Sequence, residues 1–185
     1  MNGLTARFSL DLMALQPGQV LAVTGAAGAY SGYVVQLAKA DGLTVVADAS
    51  EADEQLVRDL GADVVVRRGD DVAARILEHF PDGVDGLADG SVQDAQVLPA
   101  VKQGGAVATV RGYRGAGADR DDLRFCPTMV RKVAEDRESL DRLRQQAEDG
   151  VLTLRVATTF PAEQAAEAHR MLERGGVRGR IVLTF

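Results

Sequence analysis

The residues with the clearest chemical potential are small ones in the run Val-Thr-Gly-Ala-Ala-Gly-Ala-Tyr-Ser-Gly at 23–32. Side chains this small let a phosphate group approach the backbone closely, and the N–H groups and dipole of a following helix would stabilise its charge. A full dinucleotide turn reads G-x-G-x-x-G, whereas the spacing here is Gly25-x-x-Gly28-x-x-Ser31. The turn predicts a phosphate cradle formed by Gly25, Ala26, Ala27, Gly28, Ala29, Tyr30 and Ser31. The alternative is a tight turn that only lets a helix pack on a sheet.

An acidic position ends the second apolar run of the chain. Asp48 stands about twenty residues after the glycine turn, where a carboxylate accepts both hydrogen bonds of an adenosine ribose diol and repels the 2′-phosphate of NADP. Ser50 could instead donate to a phosphate. No Lys or Arg occupies the seven positions after Ser50, and three acids lie there, so charge favours NAD; the acids are Glu51, Asp53 and Glu54. The alternative is that Asp48 and Ser50 are solvated helix caps.

Two later turns complete the candidate cofactor site. Asp89 follows the fourth apolar run, and Arg111, Gly112 and Tyr113 follow the fifth. Ligands of open α/β sheets bind outside the carboxyl ends of the strands, so these turns would meet the adenine and nicotinamide sides. An ordinary polar turn is the alternative for each of them.

Other catalytic or metal-binding patterns are absent from the sequence. Cys126, His79 and His169 lack the spacing of zinc ligands, so no metal site is expected. Cys126 is interpreted as a small apolar residue rather than a nucleophile. Tyr30 and Tyr113 could lie beside a nicotinamide or simply pack. The sequence thus offers a cofactor cradle without an identifiable acid, base or nucleophile set, and catalytic residues stay unassigned.

Short apolar runs alternate with helical patterns along the chain, which predicts βαβ units and a parallel sheet. We expect one Rossmann-type α/β domain over 1–185, a doubly wound sheet with helices on both faces. The predicted strands are 19–24, 43–47, 63–66, 85–88 and 106–110, and the helices between them 30–41, 52–60, 72–80 and 92–101. Beyond a loop at 111–122 we expect an extended segment at 123–133, helices at 136–148 and 162–173, and strands at 152–158 and 180–184.

Composition narrows the function classes further. The formal charge of −6 argues against nucleic acid as a partner, because phosphate binding needs clustered Lys and Arg. No apolar run approaches the roughly 20 residues that a membrane span needs, so no membrane association is expected. A single cysteine forms no internal disulfide, and no secretory signal is visible, so we expect a cytoplasmic protein.

The sequence resembles the zinc-independent medium-chain dehydrogenase/reductases of the quinone oxidoreductase type. The similarity runs in family order through most of the chain and is carried by these segments: Asn2-Gly3-Leu4-Thr5-Ala6, Leu15-Gln16-Pro17-Gly18-Gln19-Val20, Gly25-Ala26-Ala27-Gly28, Gln36-Leu37-Ala38-Lys39, Leu60-Gly61-Ala62-Asp63, Val84-Asp85-Gly86, Gly104-Gly105, Ala165-Ala166-Glu167-Ala168-His169 and Gly179-Arg180-Ile181-Val182-Leu183.

The resemblance implies NAD(P)H-dependent reduction of a quinone, an enone or a related activated carbonyl or alkene, without zinc. It also implies a homodimer that pairs edge strands near Leu123–Val133. Family members place a GroES-like catalytic domain ahead of the glycine turn, whereas this chain begins inside the helix before the first strand. We therefore expect 151–185 to pack toward that missing domain. NADP-preferring members have a Lys a few residues beyond the position of Ser50, where this chain has Asp53 and Glu54.

Three functions are compatible with these features. The first is the cofactor domain of an NAD(P)H-dependent oxidoreductase, possessing or lacking activity on its own. The second is a non-catalytic module for dinucleotide binding or dimerisation. The third is a methyltransferase that binds S-adenosylmethionine, which also uses a glycine turn and an acid after the second strand.

Overall fold

Six parallel strands form the central sheet of the computed structural model, which describes all residues 1–185. The strands are β1 Val20–Thr24, β2 Thr44–Ala49, β3 Val64–Arg67, β4 Val84–Asp89, β5 Val101–Thr109 and β6 Arg124–Pro127. Their order across the sheet is β3-β2-β1-β4-β5-β6. The order reverses between β1 and β4, and the carboxyl ends of these two strands flank a crevice at that point. The predicted doubly wound Rossmann sheet is confirmed.

Helices cover both faces of this sheet. The six α-helices of the chain are α1 Asn2–Met13, α2 Ala29–Ala40, α3 Glu54–Asp59, α4 Val72–His79, α5 Arg137–Glu148 and α6 Ala165–Arg174, of which α6 lies outside this sheet. Short 3₁₀ turns occupy Glu51–Asp53, Asp94–Ala100, Val130–Val133 and Ala162–Gln164. None of the helices combines the length and the apolar character that a bilayer crossing requires.

The core consists of two apolar layers, one on each face of the sheet. Alternate residues of a strand enter different layers, as the period of two requires: Leu21 and Val23 join one layer, and Ala22 joins the other. The first layer packs under α1, α2 and α3, and the second under α4 and the turn at Asp94–Ala100. Because both faces are covered, the central strands are buried along most of their length.

The helix predicted over 92–101 is a shorter 3₁₀ helix, Asp94–Ala100, and not an α-helix. Pro99 lies inside it. Proline has no N–H group and disfavours the α conformation at the preceding residue, so an α-helix cannot continue through Leu98 and Pro99. Two residues at the start of this segment, Val92 and Asp94, have the positive φ values of 59° and 52°, which are rare for residues other than glycine and do not occur in an α-helix.

Several predicted boundaries also shift. Strand β5 begins at Val101 rather than 106, because Val101 pairs with Val84 before the register shifts. The strand predicted at 152–158 is instead β7, Val156–Pro161. Leu152 is buried, and the Thr153 N–H donates to the Gln36 side chain at 2.7 Å, so this stretch is bound to α2 and not to a strand.

Three further boundaries change because 3₁₀ turns replace regular structure. Only Arg124–Pro127 of the extended segment 123–133 is a strand, and it lies at the sheet edge. The α-helices predicted from 52 and 162 begin at Glu54 and Ala165, each after a 3₁₀ turn. Helix ends commonly tighten in this way, and sequence patterns place them poorly.

The final part of the chain lies outside the main sheet. Strands β7 and β8, the latter Arg180–Thr184, form a separate two-stranded parallel sheet connected by α6. We call residues 153–185 the C-terminal unit. Ala168 is its one buried residue, and the alternate residues of β8 are exposed. The unit therefore adds little to the apolar core.

Candidate functional site

The glycine turn links β1 to the start of α2. Gly25 has φ of +65°, and the Gly28 N–H donates to the Gly25 carbonyl at 2.8 Å, which closes the turn. A Cβ on Gly25 would lie 3.1 Å from the Ser91 backbone nitrogen, so glycine is required for both conformation and space. The N–H groups of Ala29 and Tyr30 have no partner within α2, because they are in its first turn. The turn thus presents backbone donors and no bulky side chain.

A cavity of about 240 Å³ opens beside this turn. Its lining comes from the glycine turn, the end of β2, the first residues after β3 and β4, and the C-terminal unit. The lining residues are Gly25, Ala26, Ala27, Gly28, Asp48, Ala49, Ser50, Asp53, Arg68, Ser91 and Arg178. The predicted phosphate cradle and the predicted ribose ligands therefore share one site. This arrangement fits the phosphate and adenosine ribose of a dinucleotide.

Asp48 connects the end of β2 to the glycine turn. One of its carboxylate oxygens accepts the Ala26 N–H at 3.1 Å, and the side chain also lines the cavity. Burial raises the pKa of Asp48, while the hydrogen bonds from Ala26 and Gly25 oppose that rise. Ser50 occupies the N-cap position of the turn Glu51–Asp53, as the cap interpretation predicts, but neither Ser50 nor Asp48 makes a side-chain capping bond. Asp48 can hold the turn and still face a ribose.

Ser50 belongs to a polar cluster on the rim of the cavity. Its hydroxyl donates to Asp53 at 2.6 Å. Arg178 approaches the same carboxylate with two nitrogens, at 2.5 and 2.7 Å. The hydrogen bond from Arg178 lowers the pKa of Asp53, against the effect of burial. Ser50 is therefore positioned at the site, but its proton is already committed to Asp53.

Two arginines of the C-terminal unit lie at the site although the sequence did not predict them there. Arg155 donates to the carbonyls of Ala27 and Gly28 at 3.1 and 2.9 Å, and Arg178 binds Asp53. Burial lowers the pKa of Arg155. More than a hundred residues separate either arginine from its partner, and no local pattern could have identified them. They bring positive charge to a region that the sequence shows as purely acidic.

Tyr30 and Ser31 pack on the far side of the turn from the cavity. The Ser31 hydroxyl donates to the Thr24 carbonyl at 2.8 Å, and a Cβ on Gly90 would overlap it. Because Gly90 has no side chain, there is room for the Ser31 hydroxyl between α2 and the turn after β4. The close packing that a glycine at position 31 would allow is therefore achieved by Gly90 instead. The Tyr30 hydroxyl lies 2.8 Å from the Ser9 hydroxyl, and burial raises the pKa of Tyr30 to about 12. Both side chains fix the position of α2.

Asp89 organises the turn after β4. One of its oxygens accepts the Thr24 hydroxyl at 2.7 Å, and the other accepts the Asp94 N–H at 2.8 Å. Asp89 is buried and does not line the cavity. Its neighbour Ser91 does, so this turn reaches the site through Ser91.

The turn after β5 lies apart from the cavity. The Tyr113 ring packs edge-on against Phe125, with ring centroids 5.8 Å apart, and its buried hydroxyl has no partner. Arg111 is exposed, and Gly112 has φ of +81°. This turn follows the carboxyl end of a strand, as predicted, but the structure does not join it to the residues that hold the ribose and phosphate.

Cysteine and histidine form no cluster in this structure. No group of three or more His, Cys, Asp or Glu side chains is arranged to hold a metal ion. Cys126 is buried in the core, and burial raises the pKa of its thiol. This environment agrees with its interpretation as an apolar residue. His79 ends α4, and His169 is exposed on α6.

The strand order and the glycine turn together define a Rossmann-type dinucleotide-binding domain. A family model described as zinc-binding dehydrogenase matches residues 60–183. The chain therefore belongs to this family, as the cofactor-binding domain of the medium-chain dehydrogenase/reductase superfamily.

Individual relatives agree with this assignment. An alcohol dehydrogenase of Geobacillus stearothermophilus is 28% identical over 98% of this chain and 55% of its own length. The CurF ER cyclopropanase from the curacin A biosynthetic pathway is 25% identical, with a TM-score of 0.84 over all of this chain and 60% of that chain. A quinone oxidoreductase from Coxiella burnetii has the same fold, with 24% identity and a TM-score of 0.83 over 58% of its chain. The chain thus spans little more than half the length of these relatives.

Proposed function

We propose that this chain is the cofactor domain of an NAD(P)H-dependent oxidoreductase that reduces a quinone, an enone or a related activated carbonyl or alkene without zinc. The observation that carries the proposal is the cavity shared by the Gly25–Gly28 turn and Asp48. A dinucleotide requires N–H groups at the start of a helix for its phosphates and a carboxylate that accepts its ribose hydroxyls, and this cavity adjoins both.

The residues of this chain would bind and orient the dinucleotide. The turn at Gly25–Gly28 would hold the pyrophosphate, and Asp48 the adenosine ribose. Arg155, bound to the carbonyls of this turn, would add positive charge near the phosphates. The chemistry that a bound reduced nicotinamide supplies is hydride donation to an electron-poor carbon. Arg111, Gly112 and Tyr113 remain the proposed contacts on the nicotinamide side, and Asp89 would support the adenine side indirectly through its turn.

We propose NAD(H) as the preferred cofactor. Asp48 lines the cavity and can accept both hydroxyls of a ribose diol, whereas a 2′-phosphate would add charge next to two carboxylates, Asp48 and Asp53. The Arg178 side chain, one of the two arginines that line the cavity, already binds Asp53.

A non-catalytic binding or assembly module is the second candidate. It is supported by large apolar side chains that the C-terminal unit leaves exposed, including Leu154, Val156 and Leu172. We propose that a second copy of this chain covers part of this surface or pairs with the edge strand β6, which gives a homodimer. A light-scattering mass of two chains would support the dimer, and a mass of one chain would refute it.

Titration of the purified chain with NADH and with NADPH, followed by nicotinamide fluorescence, tests the main proposal. Saturable binding is expected for both, with tighter binding of NADH. Subsequent addition of a quinone separates the two candidates, because steady oxidation of NADH excludes the non-catalytic module. Binding of S-adenosylmethionine without binding of either dinucleotide would overturn both candidates.

A further inference from the structure

We infer that Asp53 determines cofactor selectivity by occupying Arg178, which would otherwise bind the 2′-phosphate of NADPH. This inference rests on the proposed dinucleotide site and assigns a specific task to two residues on its rim. In the sequence alone, Asp53 only adds negative charge. In the structure, it also holds the cation that could oppose that charge.

The contact between these residues has the geometry of a strong pair. The Nε and Nη2 atoms of Arg178 meet the two Asp53 oxygens at 2.5 and 2.7 Å, and the Ser50 hydroxyl donates to Asp53 at 2.6 Å. Asp53 is 5% exposed, so water competes little for its carboxylate. A guanidinium binds carboxylate and phosphate through the same planar fork, and it binds one such partner with this edge at a time. Asp53 therefore stands where a phosphate would bind.

The pair is located where the ribose substituent would be read. Asp48, Ser50, Asp53 and Arg178 all line the cavity beside the glycine turn. If Asp48 accepts the ribose hydroxyls, the 2′ position faces this group of side chains. A hydroxyl there suits Asp48, whereas a phosphate would face the Asp48 and Asp53 carboxylates while Arg178 is engaged.

The charges on the rim are balanced as they stand. Two carboxylates, Asp48 and Asp53, and two guanidinium groups, Arg178 and Arg68, line the cavity. Arg68 is exposed and, unlike Arg178, has no carboxylate partner within ion-pair distance. Removing the Asp53 charge leaves the rim with one positive charge in excess and frees the Arg178 fork. Both changes favour a dianionic 2′-phosphate, and neither removes the diol acceptor Asp48.

Calorimetric titration of variants of the full chain with NADH and NADPH tests this inference. In Asp53→Asn, which keeps the size and one acceptor of the side chain, we expect NADPH affinity to rise about tenfold and NADH affinity to change little. Glu51→Gln is the matched control. It removes a carboxylate two residues away that contacts Arg67 rather than Arg178, and it should leave the preference unchanged.

The double variant Asp53→Asn/Arg178→Gln isolates the role of the arginine. It should lose the gain in NADPH affinity, and a gain that persists would show that Arg178 is not the phosphate ligand. The single variant Arg178→Gln provides a test that does not depend on the folding of Asp53→Asn. It should lower NADPH affinity only about two- to threefold, through the lost positive charge on the rim. A tenfold loss would contradict the inference, because Arg178 would then already bind the phosphate.

The remaining outcomes separate the inference from the proposed function. If the unmodified chain binds NADPH as tightly as NADH, or if folded Asp53→Asn gains no NADPH affinity while NADH still binds, the inference is overturned and the dinucleotide site stands. If the unmodified chain binds neither dinucleotide, the proposed function fails and the inference fails with it.

Discussion

The central sheet and the C-terminal unit serve the site in different ways. Strands β1 and β2 are buried along most of their length and carry the glycine turn and Asp48 at their carboxyl ends, with apolar packing behind them. The C-terminal unit buries only Ala168, yet it supplies Arg155 and Arg178. One region contributes the core and the backbone of the site, and the other contributes cations.

The contrast indicates how each region is stabilised. A two-stranded sheet such as β7–β8 is at best marginally stable by itself in water. The unit is attached to the rest of the domain near the cavity by polar contacts from Thr153, Arg155 and Arg178. These attachments depend on charge and on hydrogen-bond partners, so the unit should detach more easily than the sheet unfolds.

The largest change in the free energy of unfolding is expected when a leucine of the central sheet, rather than one of the C-terminal unit, is truncated to alanine. Leu87 on β4 is fully buried, whereas Leu172 on α6 is 60% exposed. Leu87→Ala leaves a cavity between sheet and helix and should lower the free energy of unfolding by about 2–5 kcal/mol. Leu172→Ala should change it by less than about 0.5 kcal/mol. Urea denaturation followed by circular dichroism measures both, and equal losses would mean that the C-terminal unit belongs to the cooperative core.

Two glycines with positive φ distinguish a loss of cofactor binding from a loss of stability caused by backbone strain. Gly25 and Gly104 both have positive φ, +65° and +74°, but only a Cβ on Gly25 meets other atoms within 4 Å. Either substitution by alanine should cost about 1–2 kcal/mol of stability through the left-handed conformation. Only Gly25→Ala should also weaken NADH binding, by roughly tenfold or more, because the methyl group disturbs the phosphate cradle. Comparable loss of binding in Gly104→Ala would show that the cradle is not at this turn.

The contribution of the C-terminal unit is tested through its arginines. Arg155→Ala removes two hydrogen bonds to the glycine turn and should weaken NADH binding about three- to tenfold, with a stability loss of about 1–2 kcal/mol. Arg170→Ala removes an exposed arginine from α6 of the same unit and is the control, expected to change neither. Calorimetry and thermal unfolding measure both properties. Unchanged NADH affinity in Arg155→Ala would show that Arg155 does not contribute to cofactor binding and that the central sheet alone forms this part of the site.

The smallest effects come from two carboxylates whose pKa values move in opposite directions. Burial raises the pKa of Asp48, so its charged form disfavours the fold once the pH rises above that pKa. Asp48→Asn should therefore increase stability at pH 7, and this gain should vanish as the pH falls below the raised pKa. Arg178 lowers the pKa of Asp53, so Asp53 stabilises above its unfolded pKa and loses this contribution as the pH falls. Asp53→Asn should thus lose stability at pH 7 and converge with the parent in acid, in thermal unfolding measured from pH 7 to 3.

The elements of the central sheet could be predicted because their signals are local. Continuous apolar runs and alternating helices indicate a parallel sheet, and small residues between β1 and α2 indicate the phosphate turn. The helix predicted at 92–101 is a 3₁₀ helix at Asp94–Ala100, because Pro99 lacks the N–H group that an α-helix would use there. Tertiary contact also decided the start of β7, where Leu152 and Thr153 bind to the core and α2.

The charge of the site could not be predicted from neighbouring residues. The charged residues at 50–57, after β2, are all acidic, yet Arg68 and Arg178 reach the same cavity from the position after β3 and from the C-terminal unit. Ser31 is a similar case, since Gly90 on another turn provides the space for its hydroxyl. Such long-range pairs leave no spacing pattern, so a single sequence cannot reveal them.

A crystal structure of the chain grown with NADH would show directly whether this site binds a dinucleotide. We expect the pyrophosphate against the backbone of Gly25–Gly28, the adenosine ribose hydroxyls on Asp48, and Arg178 still bound to Asp53. A dinucleotide bound away from this turn, or a ribose that does not contact Asp48, would contradict this expectation.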